Sequence, residues 1–109
     1  MTEDQPWVLQ FAHPSVERYI AGLQAETRVK LLRHLQRLET LGNTLRQPHS
    51  RAIARGLFEL RVPGKDAQRV YYSLLPGRQI LVLQVGSKGT QKRDIEVAIQ
   101  RMGGRYATE

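Results

Sequence analysis

The sequence predicts an α+β domain with helices packed on one face of an antiparallel sheet, and three observations carry that reading. Apolar residues recur at helical spacing from Val16 to Leu41, the period drops to two between Leu57 and Val85, and helical spacing returns from Ile95 to Met102. The implied order is an N-terminal strand, an antiparallel helical hairpin, a three-stranded antiparallel meander that completes the sheet, and a C-terminal helix. At 109 residues the chain suits one domain, spanning 1–109, with a single hydrophobic core.

Each element has its own signal. Trp7-Val-Leu-Gln-Phe11 is a short apolar run between Pro6 and His13-Pro14 and reads as the first strand. Pro14 suits a first helical turn, and Val16, Tyr19, Ile20 and Leu23 make one stripe. Gly22 to Ala25 breaks the pattern before a longer stripe of Leu31, Leu32, Leu35, Leu38 and Leu41, which stops at Gly42. Asn43 to Arg55 is polar, contains Pro48 and reads as a loop. Alternation then places Phe58, Leu60 and Val62 on one strand face and Leu57, Glu59 and Arg61 on the other. The next strand sets Val70, Tyr72 and Leu74 against Arg69, Tyr71 and Ser73, with Pro63-Gly-Lys-Asp66 as the turn between the two. Pro76-Gly77 supplies a second turn, and the nearly continuous apolar run Ile80 to Val85 predicts a central strand covered on both sides. Ile95, Ala98, Ile99 and Met102 mark the last helix, opening near Thr90 and ending at Gly103-Gly104.

Composition narrows the function. With no cysteine the chain has neither a disulfide framework nor a cysteine-based zinc site, and no early apolar run resembles a signal peptide or membrane span, so a cytoplasmic protein without membrane contact is expected. Seventeen Lys and Arg against ten Asp and Glu give a formal charge of +7, which favours an acidic partner such as RNA, DNA or an acidic protein. His13, His34 and His49 match no metal spacing and read as solvated or capping residues. No Ser/His/Asp or Cys/His nucleophile set, P-loop or paired-carboxylate cluster is present, and neither metal nor cofactor is expected.

The polar strand face concentrates the chemistry. Glu59, Arg61, Arg69 and Tyr71 project together if the apolar faces of the two hairpin strands pair. Gly86-Ser-Lys-Gly89 joins the last strand to the last helix and brings Lys88 and Lys92 to that helix's N-terminus, where the dipole favours an anion rather than a cation. The competing structural readings are a cross-strand ion-pair ladder for Glu59 and Arg61, and a solvated helix face for Arg28, Lys30, Arg33 and Arg37.

Three segments carry a family resemblance: Gly56-Leu-Phe-Glu-Leu-Arg61, Arg69-Val-Tyr-Tyr72, and Lys88-Gly-Thr-Gln-Lys92 ahead of a helix with Glu96, Ala98 and Arg101. Over roughly Trp7 to Met102 the chain resembles toxins of the RelE/ParE superfamily of type II toxin–antitoxin systems, in the phage-derived Gp49-like, HigB-type branch. That resemblance implies a RelE-like fold and a metal-independent, ribosome-dependent endoribonuclease that cuts mRNA and inhibits translation. It also implies a cognate helix-turn-helix antitoxin, with operator DNA reached only through the toxin–antitoxin complex. Within it, Arg69 matches the arginine on the scissile phosphate, Lys88 a basic position after the last strand, and Tyr71 and Glu59 complete the catalytic candidates. Arg61, Lys92, Arg93 and Arg55 are the RNA- or phosphate-binding candidates.

Two positions depart from the pattern. Glu59 stands where RelE-type ribonucleases carry a proton-handling lysine, and Gly89 where the branch often has a second lysine. Two alternatives therefore stay open: a ParE-like toxin that binds gyrase without cleaving RNA, through the helical surface around Arg28, Arg33 and Arg37, and an inactive relative that only binds antitoxin.

Overall fold

A computed structural model describes residues 6–45 and 49–107. Strand β1 (Val8–Phe11) leads into helix α1 (Pro14–Ala21) and helix α2 (Ala25–Leu41), then strands β2 (Ser50–Ala54), β3 (Leu57–Val62), β4 (Gln68–Leu75) and β5 (Gln79–Ser87), and helix α3 (Gln91–Ala107). The strands form one sheet in the order β1-β5-β4-β3-β2, in which β1 runs parallel to β5 and every other pair is antiparallel.

The helical hairpin forms where the apolar spacing requires it. The His13 ring accepts a hydrogen bond from Ser15 N at 3.0 Å, which caps α1 and satisfies one of its orphan donors. Val16 and Ile20 are buried beneath it, and Leu31, Leu35 and Leu38 beneath α2. The stripe is narrower than its spacing implies, because Leu32 stays 43% exposed and Tyr19 37%. Gly42 ends α2 at a positive φ of 51°, and a Cβ there would lie 2.0 Å from Trp7 Nε1, so only glycine lets the strand leading into β1 cross the helix end.

The loop expected from Asn43 to Arg55 is corrected in its second half: Ser50–Ala54 is an edge strand, paired with β3. Its Ser-Arg-Ala-Ile-Ala composition has a single β-branched residue, Ile53, and no aromatic one to announce a strand, so pairing with β3 more than local preference makes it one. The meander is therefore extended to four antiparallel strands.

The expectation of helices on a single face is also corrected. On one face α1 and α2 cover Leu60, Val62, Val70, Tyr72, Ile80, Val82 and Val85. On the other, α3 packs Ala98 and Met102 against Leu57, Tyr71 and Leu83. The alternation of β3 and β4 is as read from the sequence, but both of its faces are interior. Strand β5 holds the doubly covered position that its nearly continuous apolar run predicts, between β1 and β4. A bulge shifts its register with β4 between Tyr71 and Tyr72, so that Tyr71 pairs with Gln84 and Tyr72 with Val82. Helical structure does not end at Gly103-Gly104; α3 is interrupted at Gly103, where φ is 52°, and resumes to Ala107.

Candidate anion-binding site on the β2–β4 surface

Two neighbouring rows of the sheet build the site. Arg51 of β2, Glu59 of β3, Tyr71 of β4 and Gln84 of β5 lie in register, and the next row pairs Arg61 with Arg69 and Arg69 with Gly86. Alternation points these side chains to the α3 side, and the N-terminal turn of α3 lies over them.

Glu59 sits at the centre with no exposed surface. Its Oε1 accepts from Arg51 Nε at 3.0 Å and lies 3.5 Å from Arg61 Nε. Its Oε2 accepts from Arg69 Nη1 at 3.2 Å and from Gln91 Nε2 at 2.8 Å. Burial alone would push the carboxyl up, but hydrogen bonds and charge from Arg51 and Arg69 outweigh it and hold Glu59 below the usual carboxylate range. Three guanidiniums around one carboxylate leave an excess of positive charge, carried outward by Arg51 and Arg61, whose side chains are 40% and 45% exposed. Arg69 lies deeper, at 12%.

The predicted residues separate into four groups. Glu59, Arg61 and Arg69 do meet on one patch. Tyr71 shares that face but is fully buried in the α3-side core, next to the Glu59 carboxylate, and among the described residues its hydroxyl makes no hydrogen bond of good geometry. Burial, with the nearby negative charges of Glu59 and Asp94, pushes that hydroxyl well above the ordinary tyrosine range. Lys88 is exposed, follows β5 directly, and donates its backbone N–H to Ala67 O at 3.3 Å, which ties it to the Arg69 end of β4. Lys92 and Arg93 are exposed on the first turn of α3, where with Gly89, Thr90 and Glu96 they line an open depression of about 540 Å³. Arg55 lies apart, at the β2–β3 turn, which is the end of that hairpin away from Arg61.

Sequence reasoning missed three members of this surface. Arg51 lay inside the supposed loop, and with Ile53 on the same strand face as Arg51 no apolar–polar alternation announced it. Gln91 serves as a donor to Glu59 rather than only as a helix start. Asp94, 1% exposed, accepts from Thr90 Oγ1 at 2.6 Å and from Gln84 Nε2 at 2.8 Å, and so pins the first turn of α3 to β5. Its carboxylate also meets the helix dipole, which answers the placement of Lys88 and Lys92 there. Gly86 makes this approach feasible, since a Cβ on it would fall 1.8 Å from Asp94 Oδ2. Arg101 locks the other end of the helix, donating to Leu83 O at 2.7 Å, Gln84 Oε1 at 2.9 Å and Ser15 Oγ at 3.1 Å.

The helical surface proposed for gyrase binding is altered too. Arg28 turns inward, with Nη1 donating to Leu23 O at 2.8 Å, and so closes the α1–α2 turn, while Arg33 and Arg37 stay exposed. Among the described residues no helix is long and apolar enough to cross a membrane, and no three His, Cys, Asp or Glu side chains group closely enough to hold a metal ion.

A search of curated proteins returned no match. Among solved structures, the chain is similar to one in the RelBE2 toxin–antitoxin complex of Mycobacterium tuberculosis, at 18% identity and a TM-score of 0.53. The likeness covers 77% of this chain and 93% of that one, and it establishes a RelE-like fold. The family profile described as Phage derived protein Gp49-like (DUF891) matches residues 18–103, which include every residue of the arginine–glutamate cluster. By that match, over most of its length, the chain belongs to the phage-derived Gp49-like family.

Proposed function

We propose that this protein is the toxin of a type II toxin–antitoxin system and acts as a metal-independent, ribosome-dependent mRNA endoribonuclease. The observation that carries the reading is the cluster in which Arg51, Arg61 and Arg69 converge on the buried Glu59 beside Lys88, leaving a cationic surface built on rigid strands. The RelE-like fold and the +7 charge support it. An acidic segment of a helix-turn-helix antitoxin would cover the cationic surface, and operator DNA would be reached through that complex.

In the proposed reaction the ribose 2′ hydroxyl gives its proton to solvent as its oxygen attacks the adjacent phosphorus, charge builds on the non-bridging oxygens, and the bond to the 5′ oxygen breaks, that oxygen taking up a proton, to leave a 2′,3′-cyclic phosphate and a 5′ hydroxyl. Arg69, a permanent cation held by Glu59, is suited to stabilise that charge. Lys88 stands to steady the leaving oxygen, and Arg61 to position the backbone, with Lys92 and Arg93 extending the cationic track. Glu59 and Tyr71 contribute from beneath. A carboxylate without exposed surface and a hydroxyl pushed strongly towards its neutral form are poorly placed to take a proton from RNA, so both act by shaping the cluster.

Purified protein added to a translating ribosome extract should cleave mRNA in the ribosomal A site. R69A should stay folded by circular dichroism and lose at least about a hundredfold in cleavage rate, as removal of a charge-stabilising donor does. Cleavage by R69A at the unmodified rate would remove Arg69 from the mechanism. The ParE-like reading keeps one structural support, the exposed Val29 and Leu32 beside Arg33 on α2. Gyrase-linked DNA breaks with mRNA intact would favour it.

A further inference from the structure

Arg51 is the member of the cluster to which the proposed reaction gives no task. It stands opposite Glu59 across the β2–β3 pair and reaches Oε1 through Nε, and Arg61 approaches the same oxygen through its own Nε. A guanidinium that directs Nε to a carboxylate keeps both Nη groups for other acceptors. Among the described residues no other group accepts from either guanidinium, and both side chains are more than a third exposed. The two Nε atoms lie 3.0 and 3.5 Å from the same oxygen, so the two guanidiniums are close neighbours, the arrangement that two forks sharing one oxyanion require. Arg69 is held on the other carboxylate oxygen and lies deeper, so the cluster has an inner cation and an outer pair.

We propose that Arg51 and Arg61 form a second phosphate subsite, which holds a backbone phosphate flanking the one that is cleaved, with Glu59 as the positioning residue for both. The inference rests on the endoribonuclease reading for its substrate, though not for its oxyanion chemistry. Phosphates recur along a single strand, and a sheet edge that offers a second fork beside the reacting position fixes the strand's register without reading bases. Glu59 prevents the two like charges from splaying apart and is itself shielded from the substrate by them.

The test uses the full chain and an all-2′-O-methyl oligonucleotide, which cannot be cleaved. Affinity is measured by fluorescence anisotropy over a series of salt concentrations, and R51A should bind more weakly with a log–log salt slope shallower by about 0.7, the value of one single-strand phosphate contact. R51K keeps the charge without the fork and should retain the slope, while R33A, on α2, should match the unmodified protein. R51A with unmodified affinity and slope would overturn the subsite. Inorganic phosphate titrated against the arginine Nε–H resonances supplies a readout independent of RNA. Arg51 and Arg61 should shift together over one concentration range, and movement of neither would also overturn it. If phosphate shifts both while ribosome-bound mRNA stays intact, the oxyanion site stands and the endoribonuclease reading falls.

Discussion

Glu59 and Tyr71 are paired across β3 and β4, and in both the burial changes what a polar group can do. The Glu59 pKa is lower in the folded protein than in the unfolded chain, so its contribution to stability is present above the unfolded value near 4.3 and is lost as pH falls through the folded value. Urea titrations should show the midpoint dropping on acidification below about pH 4 for the natural protein, with E59Q showing a shallower drop there. At neutral pH, E59A should cost about 1–3 kcal/mol, because Arg51 and Arg61 are half in solvent and recover part of their loss. Tyr71 behaves in the opposite sense. Its pKa is raised on folding, so the stability it supplies is full below about 10 and declines as pH rises beyond that. Y71F removes a buried hydroxyl that makes no well-formed hydrogen bond among the described residues, and its melting temperature should equal or exceed that of the natural protein. On the proposed endoribonuclease reading, Y71F should cleave mRNA as the natural protein does. Loss of cleavage with an unchanged melt would return Tyr71 to the chemistry.

At the scale of elements, the site depends on how the start of α3 is fastened to the sheet. Gln91 is the helix's link to Glu59, and three residues on, Asp94 is its link to β5 through Gln84. D94A leaves the Gln84 amide and the Thr90 hydroxyl without their acceptor, which should cost about 1–3 kcal/mol in denaturant melts. G86A should be at least as damaging, since its methyl would occupy the place of the Asp94 carboxylate. Both variants should also raise amide exchange in the first turn of α3, seen by hydrogen–deuterium exchange, before they alter the α1–α2 hairpin. A uniform loss of protection would show that α3 does not open as a separate unit. Edge strand β2 needs the opposite argument. With little intrinsic preference for extended structure, it is held by its ladder to β3, the buried hydrogen bond of 2.5 Å between Ser50 Oγ and Tyr72 Oη, and the Arg51–Glu59 pair.

Over the whole molecule, one sheet separates two unequal cores. The larger, under α1 and α2, includes the stacked Phe58 and Tyr72 rings, with centroids 5.5 Å apart. The smaller, under α3, borders the cationic cluster, so that the candidate site lies at the margin of an apolar layer rather than in a deep cleft. The net charge adds a term of longer range. On the proposed function, association with ribosomes should weaken steeply with ionic strength, and sedimentation with ribosomes at rising salt checks it. Binding indifferent to salt would place the recognition on apolar surface such as Val29 and Leu32 instead.

The period of the apolar residues was enough to locate the helical hairpin, the meander, the central position of β5 and the face shared by Glu59, Arg61 and Arg69, because periodicity is a local consequence of backbone geometry. It also separated Phe58, Leu60, Val70 and Tyr72 from the polar residues between them. Alternation states only that two faces differ. It does not state that either is open to solvent. That was decided when α3 folded across the sheet, which turned Leu57, Tyr71 and Leu83 into a second core and sealed Glu59 beneath three arginines contributed by three different strands. Arg51 became a neighbour of Glu59 in the same way, through the pairing of a strand that its own residues do not favour. Contacts of this kind join residues distant along the chain, so only the tertiary structure could determine which charges meet and which of them still face the solvent.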